Sequence, residues 1–201
     1  MDKENNDKVF EKIKEKDFSS KKFEDCKFIN CELVEANFSE ASFIDCEFQD
    51  CNLTLTKING CKFQNVEFTK CKLAGVNFSN IHKMLTSMNF KKCLIKQCDF
   101  QELNLKKTKF LDCGFDGVDF MGTDLEEASF RGSKFNDVFF QNCNMREANF
   151  IKTKGIVINP MENKMFKARF NVNALPGLVK NFGIKVEWNS FFLKNLTHFV
   201  R

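Results

Sequence analysis

A large apolar residue recurs every fifth position through most of this chain, and that period admits very few folds. The stretch Phe23 to Leu33, FEDCKFINCEL, shows the unit twice: Cys26 stands two places before Phe28, and Cys31 two places before Leu33. A first block of centres runs from Phe18 to Phe78 and includes Phe28, Leu33, Phe48, Leu53, Phe68 and Leu73. A second runs from Phe90 to Phe150 and includes Phe100, Leu105, Phe120, Leu125, Phe140 and Met145. Two places before each centre lies a second column of mostly small residues. Every one of the 10 cysteines occupies it: Cys26, Cys31, Cys46, Cys51, Cys61, Cys71, Cys93, Cys98, Cys113 and Cys143. The remaining three positions of each unit are mostly polar.

A period of five is neither the 3.6 of a helix nor the 2 of a strand. An apolar position every five residues would wander around all faces of an α-helix, so a helical repeat is excluded. Two inward residues separated by one outward residue are locally strand-like, and the polar pair that follows must turn a corner. Four such sides close a square coil of about 20 residues, and coils stack about 4.8 Å apart through strand-type hydrogen bonds. The spacing predicts an all-β solenoid of about seven coils, roughly 33 Å long, filled by ladders of like side chains. Leu33, Leu53 and Leu73 form one such ladder, and Leu105, Leu125 and Met145 the matching one of the second block.

This pattern resembles the pentapeptide-repeat family, whose usual unit is A(D/N)LXX. The resemblance covers about residues 18–155 and implies a right-handed quadrilateral β-helix. The chain departs from the usual unit in preferring Phe to Leu at the centres and Cys to Ala in the small column, and both fit the same interior. Three segments follow from it: an N-terminal cap over 1–17, the β-helix over 18–155 interrupted at 79–89, and a C-terminal cap and dimerisation segment over 156–201. Phe78 and Phe90 are 12 apart, not 10. Either a centre sits at Leu85 with two residues inserted as a bulge, or residues 79–90 all leave the helix and the leucine ladders keep one face. The fit of Met88 and Phe90 to the repeat favours the bulge, while Lys83, which would then point inward, opposes it. Beyond the repeats, Asn173 as N-cap and Gly183 as stop bound a helix over 174–182. Ile184 to Val186 suits a short strand. Trp188, Phe191, Phe192, Leu196 and Phe199 share one face of a second helix. The strings INPMENKMFKARF and LVKNFGIKVE resemble the ending of Qnr-type members of the family.

Composition narrows the function classes. Phe supplies 26 of 201 residues, Trp one and Tyr none, which suits a repetitive core. The start, MDKENNDK, is too charged for a secretory signal, and no apolar run reaches the roughly 18 residues of a membrane span. A cytoplasmic protein with reduced thiols and no membrane contact is expected. Free cysteine commonly serves as a small buried apolar residue, and adjacent units lie on different sides of a coil, so no metal site is expected. The two histidines, His82 and His198, have no triad or acid–base context. No phosphate loop or dinucleotide fingerprint occurs, so neither an enzyme nor a cofactor is expected.

Three functions remain: a non-catalytic scaffold for a protein partner, a DNA mimic, and a thiol-based metal or redox protein. The second rests on the resemblance. Qnr-like proteins mimic duplex DNA, bind DNA gyrase and topoisomerase IV, and protect them from quinolones. Mimicry needs a sustained acidic surface. Residues 18–155 instead carry 19 basic and 19 acidic groups, while 156–201 carry 7 basic and 2 acidic. The side of Phe90, Phe110, Phe130 and Phe150 bears Lys91, Lys92, Lys109, Arg131 and Lys152 against Asp112, too sparse by itself to predict direct nucleic-acid contact. A bare final coil would expose apolar side chains and strand edges, and the C-terminal segment has more apolar surface than one cap needs. A homodimer is expected, and the resemblance implies tail-to-tail pairing. Its candidate contacts are Leu178, Phe182, Trp188, Phe191, Phe192, Leu196 and Phe199.

Overall fold

In the computed structural model, which describes residues 4–84 and 86–187, the chain winds into a parallel β-solenoid. It is a right-handed quadrilateral β-helix of about 8 turns with one short C-terminal helix. Each turn contributes one inward centre to each of four faces. The first face carries Phe18, Phe38, Ile58, Phe78, Phe100, Phe120 and Phe140. The second carries Phe23, Phe43 and Phe63, then Leu105, Leu125 and Met145. The third runs from Phe28 through Phe90 to Phe150, and the fourth from Leu33 through Ile95 to Phe135. All of these centres are buried.

The corners explain the polar pairs. The second residue after a centre takes a left-handed backbone conformation, as at Asp25 (φ 52°), Asn30 (φ 54°) and Glu35 (φ 57°). A left-handed non-glycine residue costs roughly 1 kcal/mol, least for Asn and Asp. The main-chain ladder between turns offsets that cost at every step: Asn30 N–H donates to Gln49 O (2.9 Å) and Asp50 N–H to Thr69 O (3.0 Å).

The register across the interruption is 22 residues. Phe68 pairs with Phe90, Leu73 with Ile95 and Asn77 with Asp99. Two residues are therefore inserted, and the chain does not leave the helix for 12. The leucine ladder Leu33–Leu53–Leu73 continues into Ile95, Phe115 and Phe135, while Leu105, Leu125 and Met145 stack below Phe63 on the second face. They do not match the first leucine ladder in position. Lys83 does not point inward either. Ile81 closes the turn by donating its N–H to Phe78 O (3.2 Å) and fills the small column. The insertion follows it, leaving Lys83 exposed and 3.7 Å from Glu102. Leu85, the centre expected there, lies outside the described residues.

Both ends differ from expectation. Residues 4–17 form a turn of the solenoid instead of a separate cap: Glu4 pairs with Lys22, and Phe10 with Phe28. The offset there is 18, because Phe10 to Asp17 spans two residues fewer than Phe28 to Asn37. At the other end the stack passes Gly155, since Phe150 pairs with Phe170 and Asn144 with Lys164. Neither addition is a full turn, and together they raise the seven coils expected to about eight. The helix expected over 174–182 is shorter. The α-helix α1 spans Leu175–Val179 between 3-10 turns at Val172–Ala174 and Lys180–Phe182. Asn173 lies inside the first of these turns and is not the N-cap; Ala174 is, and it makes no side-chain cap bond. Gly183 ends the last turn in the left-handed region (φ 66°). Ile184 to Val186 form no strand with any of the described residues.

Candidate interaction surfaces

The interior is closed by packing. On the third face the Phe10, Phe28, Phe48, Phe68, Phe90, Phe110, Phe130, Phe150 and Phe170 rings form one unbroken stack. Centroids are 4.6 to 5.1 Å apart and planes within 12°. Rings of the other faces meet these edge-on, as Phe100 of the opposite face meets Phe110 (6.0 Å, 85°). Both are favoured aromatic geometries. Nothing in such a core could receive a substrate.

The cysteine column has a role that the spacing did not reveal. All 10 thiols are free and buried. Most donate to the main-chain carbonyl of the centre one turn earlier: Cys46 Sγ to Phe23 O (3.5 Å), Cys71 Sγ to Phe48 O (3.3 Å) and Cys143 Sγ to Phe120 O (2.9 Å). Thr56, Thr123 and Ser133 make the same bond through their hydroxyls at 2.8 to 3.0 Å. Cysteine here is a small apolar residue that also satisfies a buried carbonyl, which alanine cannot do. Cys31, Cys51, Cys71, Cys93 and Cys113 stack consecutively behind the fourth face.

Burial pushes Cys46 up to about 12, and Cys31, Cys98 and Cys143 up to about 11, against an ordinary 9.0. Cys71 and Cys113 are raised first by side-chain hydrogen bonds to Cys51 and Cys93, then by burial. Cys51 and Cys93 receive those bonds, so a negative charge forced into the column would settle there first. Ellman's reagent at about pH 8 should therefore react slowly with the native protein and completely after denaturation. Prompt labelling of several native thiols contradicts the placement. A raised thiol pKa stabilises the fold fully below the unfolded value. The contribution is lost as pH rises from about 9 toward the folded values of 11 to 12, so stability should fall in that alkaline window.

No three His, Cys, Asp or Glu side chains converge as a metal site among the described residues. His82 is exposed in a shallow groove with Ser42, Lys62, Gln64 and Met84. His198 lies outside the described residues.

Charge sorts by face. On the first face Asp99 and Asp119 accept the main-chain N–H groups of Gln101 and Met121, both at 2.8 Å, so these carboxylates cap their own corners. On the second, Lys106 sits 3.0 Å from Glu126 and 3.4 Å from Asp124, which raises the lysine and lowers Glu126. On the fourth, Asp116 is held low by a hydrogen bond from Asn136 (2.7 Å) and by Lys96 at 3.0 Å. The third face is basic in its second half, as Lys91, Lys92, Lys109, Arg131 and Lys152 predicted.

At the C-terminal end, Leu178 packs against the core and is spent on closing it. Phe182 (49% exposed), Ile184 (57%), Phe166 (65%) and Val172 (63%) remain uncovered. Trp188, Phe191, Phe192, Leu196 and Phe199 lie outside the described residues.

A sequence family described as the pentapeptide repeat region matches residues 21–84 and 82–150. This chain is a pentapeptide-repeat protein. Among solved structures, this pentapeptide-repeat protein is similar to two trypsin-treated variants of QnrB1, a plasmid-mediated fluoroquinolone resistance protein. The TM-score is 0.61 for both, at 16% and 15% identity, covering 92% of this chain and 97% of each of theirs. At that identity the likeness shows a shared fold. No curated protein matches the sequence. No helix among the described residues of this pentapeptide-repeat protein is long and apolar enough to cross a membrane.

Proposed function

We propose that this chain is a non-catalytic, cytoplasmic scaffold that binds a protein partner through its flat faces and acts as a tail-to-tail homodimer. The observation that carries the reading is the uncovered apolar surface at the C-terminal end, where Phe166, Val172, Phe182 and Ile184 stay exposed although Leu178 already closes the core. Exposed apolar clusters of this kind mark contact surfaces. A second copy is the occupant, because closed two-fold dimers are the commonest assemblies and a rod end is self-complementary about such an axis. Light scattering tests it. The full chain should be a dimer at tens of micromolar, and the variant Phe166→Ser/Phe182→Ser a monomer. A full-length monomer, or a variant that still dimerises, removes this surface from the interface.

The alternative reading, a mimic of duplex DNA that binds gyrase or topoisomerase IV, draws support from the QnrB1-like fold. Charge opposes it, since the acids of the first face are few and tied to their own backbone. In a gyrase supercoiling assay with ciprofloxacin, no rescue of supercoiling is expected. Rescue at substoichiometric protein would establish the alternative.

A further inference from the structure

The basic half of the third face carries more charge than the sequence spacing shows. The fold brings Lys134 and Lys154, from the adjoining fourth face, around the corner to the same edge, and Arg169 extends the row by one turn. These residues, with Lys91, Lys92, Lys109, Arg131 and Lys152, are all exposed.

Two observations mark this edge. Several lysines elsewhere meet carboxylates, as Lys27 meets Glu47 (3.2 Å), Lys96 meets Asp116 (3.0 Å) and Lys106 meets Glu126 (3.0 Å). Among the described residues, no ion pair or side-chain hydrogen bond is formed by any cation of this row. The single acid there, Asp112, leans over Gly132 instead of onto a cation. Secondly, like charges stack directly: Lys134 pairs with Lys154 in adjacent turns. Like charges set opposite each other in neighbouring strands are destabilising. An external anion would relieve that repulsion.

We propose that this edge binds the phosphate backbone of duplex nucleic acid. The cations form a band across this face and its corner that extends over four turn spacings, about 19 Å at ~4.8 Å per turn. That matches between five and six base pairs at about 3.4 Å each. No aromatic side chain stands in the row, so it lacks the stacking platforms that single strands require. Lysine predominates and no helix among the described residues stands beside the row, so contact is to phosphates and independent of sequence. A protein interface would instead place aromatic anchors at its centre. The row meets the C-terminal surface only at its last turns, where Arg169 stands between Phe166 and Val172.

Fluorescence anisotropy of a labelled 20-base-pair DNA duplex with the full chain tests this. Binding is expected at about 50 mM salt, with log K falling against log salt with a slope of about −3 to −4, as for four phosphates. The variant Lys109→Glu/Arg131→Glu/Lys152→Glu should lose more than tenfold in affinity with unchanged circular dichroism. Lys57→Glu/Lys62→Glu, on the first and second faces, should stay within about twofold of the parent. Should the triple variant misfold, Arg131→Gln/Lys152→Gln should still reduce both affinity and slope. No binding up to about 100 µM at that salt, or binding that either row variant leaves intact, overturns the proposal. So does attachment to phosphatidylserine vesicles without duplex binding.

Discussion

Replacing Phe120 by alanine should lower the unfolding free energy by about 3–5 kcal/mol. The Phe120 side chain is fully buried. Its ring stacks between Phe100 (5.1 Å, 11°) and Phe140 (5.2 Å, 4°). It also meets Phe110, Phe115 and Phe130 nearly edge-on at 5.7 to 5.9 Å. No neighbour can collapse into the space, because each ring is itself fixed in a ladder by the turn above and below. The cost should therefore sit at the cavity-dominated end of the range for large-to-small changes. Denaturant unfolding followed by circular dichroism measures it, and a loss under about 1 kcal/mol would remove Phe120 from the core.

Gly155→Val should cost at least about 2 kcal/mol, by strain in place of a cavity. Gly155 has φ 72°, and a Cβ there would lie 2.2 Å from Phe135 O. That carbonyl belongs to the main chain of the preceding turn and cannot move aside. A β-branched residue in the left-handed region adds its own penalty. The damage should fall on the last turn, where Phe170 stacks on Phe150 at 4.8 Å, and should appear as early loss of protection in amide exchange beyond residue 155. A variant as stable as the parent would show that the chain does not continue its stack past Gly155.

Much of this architecture is legible in the sequence, because a five-residue period leaves one way to bury its apolar positions. The centres and the small column could be named from spacing alone, and so could the basic side of the second block. What could not be read is where two chemically similar solutions compete. Both readings of residues 79–90 put an apolar residue on every ladder, since Leu, Ile and Phe substitute freely at the centres. The pairing of Phe68 with Phe90 and of Leu73 with Ile95 decides between them, and no residue type encodes it. The terminal turns were hidden for a similar reason: Phe10 alone joins its ladder, at an offset of 18, and Met165 and Phe170 resume the period only after Ile156 and Ile158. The thiol hydrogen bonds were missed because cysteine reads as small and apolar. The signal lay in Thr56, Thr123 and Ser133, whose hydroxyls share its column. The basic edge was undercounted because its outer members sit on a different face of the repeat and converge only at the corner.

The register through the interruption carries the whole account of which surfaces lie together, and methyl NMR tests it most directly. With Leu and Ile methyl groups labelled, Leu73 should show a strong nuclear Overhauser effect to Ile95, its partner in the ladder. A strong effect from Leu73 to Leu105, with none to Ile95, would mean that residues 79–90 leave the helix, and would contradict the arrangement of the second half of the rod.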